Sequence, residues 1–293
     1  MKRIGSLGVA VVLALAAPRV GGYSLCGGFL QPSTHPFHVD PTLPMNGAGT
    51  VQDWVGAVIL ASQEWGTDGV ANFRFVFAGL VAPPYPPGTS VVTLGVPGCP
   101  GFCPPAATTS FSTCIDPAGP WDVSGNPPPG TLDLQGFATH QLGHVVGLAH
   151  STVAGATMSP ALGNLLEWRS IEADDISGVL AIYGAAPANA AVLDSTGLPY
   201  TGGSVLVRLL GPAGPAVVGF DTSPGPTVVP GLGSVALGFS PAFVPVAVAA
   251  PGTIPISIPA NPALIGATVH MQALVSAAAG PALSNPSRIA IPY

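Results

Sequence analysis

Two regimes of hydrophobic spacing divide the chain. Up to about residue 184, helical and strand-like patterns alternate. Val51, Trp54, Val55, Val58, Ser62 and Trp65 recur on one helical face, behind the capping-box-like Thr50-x-x-Asp53 and ahead of Gly66. A second helix is predicted from about Leu134 to Val146, with Asp133 as its N-cap. A third has Ile176, Val179, Leu180 and Tyr183 on one face, with Ser170 as a cap and Gly184 as its stop. Strands are predicted where Phe37-His38-Val39 begins an extended run, where Phe73, Phe75 and Phe77 alternate with Arg74 and Val76, and over Ser90–Leu94 and Thr108–Ile115.

From Ala185 onward the helical period disappears. Short Val- and Leu-rich runs are cut by Pro-Gly, Gly-Pro and Asn-Pro breaks. Strands are predicted over Ser204–Leu210, Ser234–Gly238, Val244–Ala249, Thr253–Ile258, Thr268–Ser276 and Arg288–Ile291. The fold class expected is α+β, with an all-β, sandwich-like accessory domain at 185–293 behind a mixed domain at 23–184.

Composition adds a constraint on the surface. Charged residues make up 7% of the chain, against about 25% in ordinary soluble domains. Hydrophobic residues reach 48%, with 39 Gly and 35 Pro. Past residue 22, no apolar run reaches the roughly 18 residues that a membrane-spanning helix needs. Residues 1–22 have the form of a signal peptide, with Lys2 and Arg3 ahead of an apolar core at Val9–Ala17 and small residues near Gly22. A secreted or cell-surface protein is expected. Beyond residue 22, four arginines (Arg74, Arg169, Arg208, Arg288) stand against 13 acids, a formal charge of −9. Four scattered arginines form no phosphate-tracking stripe, so nucleic acid is not an expected partner. The four cysteines, Cys26, Cys99, Cys103 and Cys114, are expected to pair in an oxidising compartment, with three pairings open.

The candidate chemistry lies on the second helix. His140-Gln141-Leu142-Gly143-His144-Val145-Val146-Gly147-Leu148-Ala149-His150 reads H-Q-x-x-H-x-x-G-x-x-H. Histidines four apart share a helix face. Gly147 allows a positive-φ exit, and His150 can return as a third nitrogen ligand. Three imidazoles with a fourth position open are a catalytic type of zinc set.

This stretch resembles the metzincins, and within them the matrixins, whose pattern is H-E-x-x-H-x-x-G-x-x-H followed by a Met-turn. Ala156-Thr157-Met158-Ser159-Pro160 matches the Met-turn, and Ile171–Gly184 resembles the matrixin C-terminal helix. The resemblance covers roughly residues 35–185. It implies a twisted sheet with a zinc-binding helix, one zinc ion on His140, His144 and His150, and Met158 packed beneath the metal. It also implies peptide-bond hydrolysis by zinc-activated water, with a peptide or protein as substrate. Calcium is a further cation of such domains, but no residue pattern here supports it. Asp174 and Asp175 read as first-turn acids stabilised by the helix dipole. His35 and His38 read as solvated or hydrogen-bonded, and His270 as structural.

The sequence departs from the family at two positions. Gln141 stands where the family carries its general-base glutamate, and an amide accepts hydrogen bonds but not protons near neutral pH. Ser159 stands where matrixins usually carry a tyrosine. The expected function is therefore a secreted matrixin-type zinc metalloendopeptidase weakened at Gln141. The alternative is a zinc-binding pseudoprotease acting as an extracellular peptide-binding or structural module.

Overall fold

A computed structural model describes residues 22–31, 34–67, 71–99, 103–104, 106–160, 165–187, 190–278 and 280–293. The expected signal peptide lies outside the described residues, Gly22 excepted.

The first part is a parallel sheet covered by helices. Strands β1 (Thr34–Asp40), β2 (Arg74–Leu80), β3 (Val91–Leu94) and β4 (Ser112–Ile115) lie in the order β2-β1-β3-β4, and every pairing is parallel. In β1 the side chains of His35, Phe37 and Val39 are buried, while Thr34, Pro36 and His38 line the other face. Helix α1 (Val51–Thr67) joins β1 to β2. Asp53 closes its first turn by accepting from the Thr50 N–H at 2.8 Å, and Thr50 Oγ1 accepts in return from the Asp53 N–H at 3.2 Å, the capping box read from the sequence. Val55, Val58 and Trp65 of α1 are buried against Phe37, Phe73 and Phe75.

Helix α2 (Leu134–Val146) packs on α1. The Trp65 indole N–H donates to the Thr139 carbonyl at 2.9 Å, which fixes the two helices in register. Helix α3 (Ala173–Tyr183) closes the part from below. The Tyr183 hydroxyl donates to the Val146 carbonyl at 2.8 Å and accepts from the Leu30 N–H at 3.1 Å, tying the end of α2 to the N-terminal segment. The cap of α3 is Glu172 rather than the expected Ser170: Glu172 and Asp175 form a reciprocal capping box. Ser170 lies two residues upstream, where its hydroxyl donates to Glu172 Oε1 at 3.2 Å and its carbonyl accepts from the Thr157 hydroxyl at 2.5 Å.

The C-terminal part is all β. Strands β5 (Val192–Leu198), β6 (Ser204–Asp221), β9 (Val244–Ser257), β10 (Thr268–Ala277), β11 (Gly280–Leu283) and β12 (Ser287–Ala290) form one six-stranded antiparallel sheet. Strands β7 (Pro224–Val229) and β8 (Gly233–Leu237) form a separate hairpin. Where the sequence predicts a sandwich of two sheets, the described residues pair into one six-stranded sheet and one two-stranded hairpin. Strand β9 pairs with β6 along nearly its whole length, with a register shift between Leu209 and Gly214. On the other edge of β6, β5 pairs with Ser204–Leu210 and β10 with Ala216–Asp221. Buried side chains from both stretches, among them Leu193, Val207, Val218, Met271 and Val275, share one cluster.

The two parts are joined closely. Gln63 of α1 exchanges two hydrogen bonds with the Gly197 backbone, at 2.9 and 3.0 Å, and the Tyr200 hydroxyl donates to the Gln52 carbonyl at 2.6 Å. Strand β12 lies against β2, and Tyr200 and Ala290 are buried in the core of the first part.

Candidate metal centre

The site is built from the end of α2 and the loop behind it. Asp133 caps α2, accepting from the Gly136 N–H at 2.7 Å, and its second oxygen takes two N–H groups of Arg169 at 2.9 and 2.7 Å. That ion pair holds the short helical turn at residues 166–169 against the start of α2. It thereby lays the Trp168 ring on His140, with centroids 4.4 Å apart and planes 16° apart.

His140 and His144 lie one turn apart, with ring centroids separated by 4.8 Å. Gly147 adopts φ 117° as the helix cap, the left-handed conformation that glycine takes most readily. The chain then turns back so that His150 faces both rings, at 5.2 Å from His140 and 4.9 Å from His144. One ligand nitrogen from each of the three lies within 4.8 Å of the other two.

Each buried imidazole is held from behind. His140 Nδ1 lies 2.7 Å from the Thr157 carbonyl, and His144 Nδ1 lies 2.8 Å from the Leu148 carbonyl. A carbonyl only accepts, so each Nδ1 carries the proton and each Nε2 keeps its lone pair. Burial also disfavours the charged form. It lowers the His140 pKa to about 4 and lowers that of His144, against the pull of the two carbonyl bonds. These rings are therefore neutral near pH 7, as a metal ligand must be.

Met158, which follows the Thr157 whose carbonyl holds His140, is fully buried. A Cβ on Gly143 would meet Met158 Sδ at 2.2 Å and Trp65 Cζ2 at 2.6 Å, so only glycine lets both side chains press against α2 there. The turn carrying Met158 is secured by Asp175. One carboxylate oxygen accepts from the Thr157 N–H at 2.9 Å and the Glu172 N–H at 3.0 Å; the other accepts from the Met158 N–H at 3.1 Å. Burial pushes the Asp175 carboxyl above its ordinary value, and the three N–H donors pull it partly back. Asp174 instead accepts from the Gly22 N–H at 2.8 Å and from the Ser151 hydroxyl at 2.5 Å. The first-turn acids read from the sequence as dipole partners thus also hold the loop and the N-terminal segment.

Gln141 sits beside this cluster, and its Oε1 is buried with no hydrogen-bond partner among the described residues. Ser159 is buried one residue after Met158. Three aligned imidazoles, two with enforced tautomers, beside an amide oxygen that lacks a partner fit a zinc ion with an open coordination position.

The other sequence candidates lie elsewhere. His35 is buried in the sheet, with Nε2 2.7 Å from Ser90 Oγ. His270 lies on β10. Cys26 pairs with Cys103 and Cys99 with Cys114. The first bridge pins the N-terminal segment beside α2, with Cys26 Sγ 3.8 Å from the His144 carbonyl. Sequence reasoning passed over Trp168 and the Asp133–Arg169 pair as parts of the site. Arg169, one of few cations in an acidic chain, was the one available signal.

Residues 101–184 match the Matrixin family model. The chain is 29% identical to Metalloendoproteinase 1 of Glycine max over 153 residues, which are 51% of this chain and 48% of that protein. It is 41% identical to Metalloendoproteinase 1-MMP of Arabidopsis thaliana over 56 residues, 19% of this chain and 15% of the relative. It is 36% identical to Metalloendoproteinase 4-MMP of the same plant over 75 residues, 25% and 22%. The chain thus spans about half the length, or less, of the curated relatives it matches. The histidine-bearing helix, the return loop, the buried methionine turn and α3 all fall within the segment matched by the family model, and over that segment the chain is similar to the matrixin-type metzincins.

Proposed function

We propose that this chain is a zinc-dependent metalloendopeptidase of the matrixin type, holding zinc through His140, His144 and His150 and weakened at its proton-transfer position. The observation that carries the reading is the convergence of three imidazole nitrogens, two of them on rings that burial keeps neutral and that backbone carbonyls aim. When bound, zinc supplies a Lewis acid that polarises a peptide carbonyl and acidifies an attacking water.

The chain's own residues do the rest. Trp168 and the Thr157 carbonyl hold His140 in place, and the Leu148 carbonyl holds His144. The Gln141 amide oxygen can accept a hydrogen bond from a water in the cleft and so orient it. It cannot take that water's proton or deliver one to a leaving amine. A missing general base typically removes about 10²–10⁴ in rate, about 3–5 kcal/mol of barrier lowering.

Export of the protein is part of the proposal, supported by two disulfides in a chain without free cysteines among the described residues. No helix among the described residues is long and apolar enough to cross a membrane. The second reading, a pseudoprotease that binds peptides without cutting them, is favoured by the same Gln141.

Peptidase activity of the zinc-loaded chain, measured beside its Gln141→Glu variant on an unstructured protein substrate, decides between the two. We expect weak cleavage by the natural chain and a gain of about 10²-fold or more in the variant. No gain with zinc bound would overturn the peptidase reading in favour of the binding module. Robust zinc-dependent cleavage by the natural chain would mean that another group supplies the base.

A further inference from the structure

A groove of about 480 Å³ lies where the two parts of the chain meet, on the side of β1 away from the core. Thr34, Pro36 and Val76 form one wall. Pro224, Gly225 and Ala236 of the β7–β8 hairpin also line the groove, as do His270 of β10 and Arg288 of β12. The volume falls in the range of small-molecule sites, and the lining is mostly carbon, as such sites are.

A single cation stands in this groove. Asp221, His270 and Arg288 lie directly opposite one another on three neighbouring strands, β6, β10 and β12. Asp221 is already engaged, accepting from the Ser223 and Ser240 N–H groups at 3.0 and 2.9 Å and from the Ser240 hydroxyl. Arg288 has no such partner: among the described residues its guanidinium makes no hydrogen bond or ion pair. The other arginine of the C-terminal part, Arg208, is paired with Asp194. In a chain with 13 acids and 7 bases, an arginine left unpaired in a partly buried, carbon-lined groove is unusual. Its desolvation lowers its pKa; burial lowers those of His270 and His38, and the Arg288 charge lowers them further.

We infer that this groove is a binding site for a small organic carboxylate with an apolar body, its carboxylate on Arg288 and its carbon chain along Pro36, Val76, Pro224 and Ala236. A planar guanidinium receives a carboxylate through two parallel N–H···O bonds. One arginine beside a largely neutral histidine matches one negative charge; a phosphate dianion would call for more donors than the groove offers. The inference is independent of the zinc reading, because none of its residues belongs to the metal centre.

The test is titration of the full-length, zinc-loaded chain with octanoate, followed by calorimetry or NMR. Octanol, acetate and inorganic phosphate serve as comparison probes. Saturable binding of one octanoate is expected, with octanol and acetate at least tenfold weaker. Arg288→Met, which keeps the side-chain length and removes the charge, should weaken octanoate at least tenfold while zinc content stays unchanged. Ala236→Phe, which fills the groove from the hairpin and leaves Arg288 in place, should do the same, and it preserves the test if the arginine variant folds poorly. Carboxylates also ligate zinc, but binding at the metal would be indifferent to both substitutions. Octanoate affinity unchanged in the two variants would overturn the inference, as would absence of saturable binding or phosphate binding more tightly than octanoate.

Discussion

Asp175→Asn is the substitution that most directly tests how the metal centre is held. Three backbone N–H groups converge on the carboxylate of Asp175, which is 1% exposed. An asparagine offers only one oxygen. Its better orientation places that oxygen opposite Thr157 and Glu172, keeping two bonds and turning its NH2 toward the Met158 N–H, donor against donor. One buried donor is orphaned at a cost of about 1–3 kcal/mol, and the two remaining bonds lose their charge assistance. Against this, the variant no longer buries an ion, whose desolvation already raises the Asp175 pKa. The net expectation is a loss of about 2 kcal/mol, read as a lower urea midpoint at unchanged slope.

The consequence for the metal follows from the next bond in the chain. The turn that Asp175 secures carries the Thr157 carbonyl, the acceptor for His140 Nδ1. Direct partners of metal ligands are worth about 10–100-fold in affinity; Asp175 acts one bond further out, so about tenfold is expected. Chelator competition measures it. Asp174→Asn is the control, since Asp174 touches the N-terminal segment and Ser151 but not the methionine turn. Stability within 0.5 kcal/mol of the parent would refute the accounting. A stability loss with zinc affinity unchanged would show that the turn does not aim His140.

Further outcomes are expected. His144→Ala removes one of three ligands and should abolish most zinc binding, checked by metal analysis of the purified chain; full occupancy would refute the ligand assignment. Trp168, stacked on His140, should change its fluorescence on zinc addition, a response that Trp168→Phe would remove. Burial lowers the His35 pKa from 6.5 to about 4. The unfolded chain therefore binds this proton first: the stabilisation is complete above about pH 6.5 and is lost as pH falls toward 4. At 1.36 kcal/mol per unit the gap amounts to about 3 kcal/mol. Urea unfolding at pH 4.5 and 7.5 should show a smaller acid loss in His35→Leu than in the parent; equal losses would place the acid sensitivity elsewhere.

Much of the histidine cluster was legible because its determinants are local. Histidine spacing of four on a helix, a glycine stop and a capping aspartate are set within about 20 residues, and α2 spans Leu134–Val146 with Asp133 as its cap, as read from the sequence. The strands with clear alternation, such as Phe73–Phe77 and Thr268–Ser276, were legible for the same reason. Three kinds of feature were not. Strand β7 reads as a turn, because Pro224-Gly225-Pro226 carries no alternation, and its pairing with β8 comes from the hairpin. Val244–Ala249 and Thr253–Ile258 looked like two strands around Pro251, but β6 pairs with both and makes them one. Asp175, Trp168 and Arg169 act on the site across turns and loops, so their spacing carries no periodic signal.

That division bears on how position 141 relates to the rest of the site. Each support described above reaches the metal ligands through a backbone carbonyl, a stacked ring or a buried turn: Thr157 and Leu148 behind the imidazoles, Trp168 over His140, and the turn of Met158 that Asp175 secures. Among the described residues, none of these supports uses the Gln141 amide oxygen, which has no partner at all. An exchange of carboxylate for amide at this position therefore leaves the forces that shape the histidine cluster untouched, and on the reading proposed above it removes the proton acceptor. On that reading, metal binding and proton transfer are separable. A chain could keep the first under selection for binding after losing the second, and a single substitution, Gln141→Glu, would restore the missing proton acceptor without rebuilding the site.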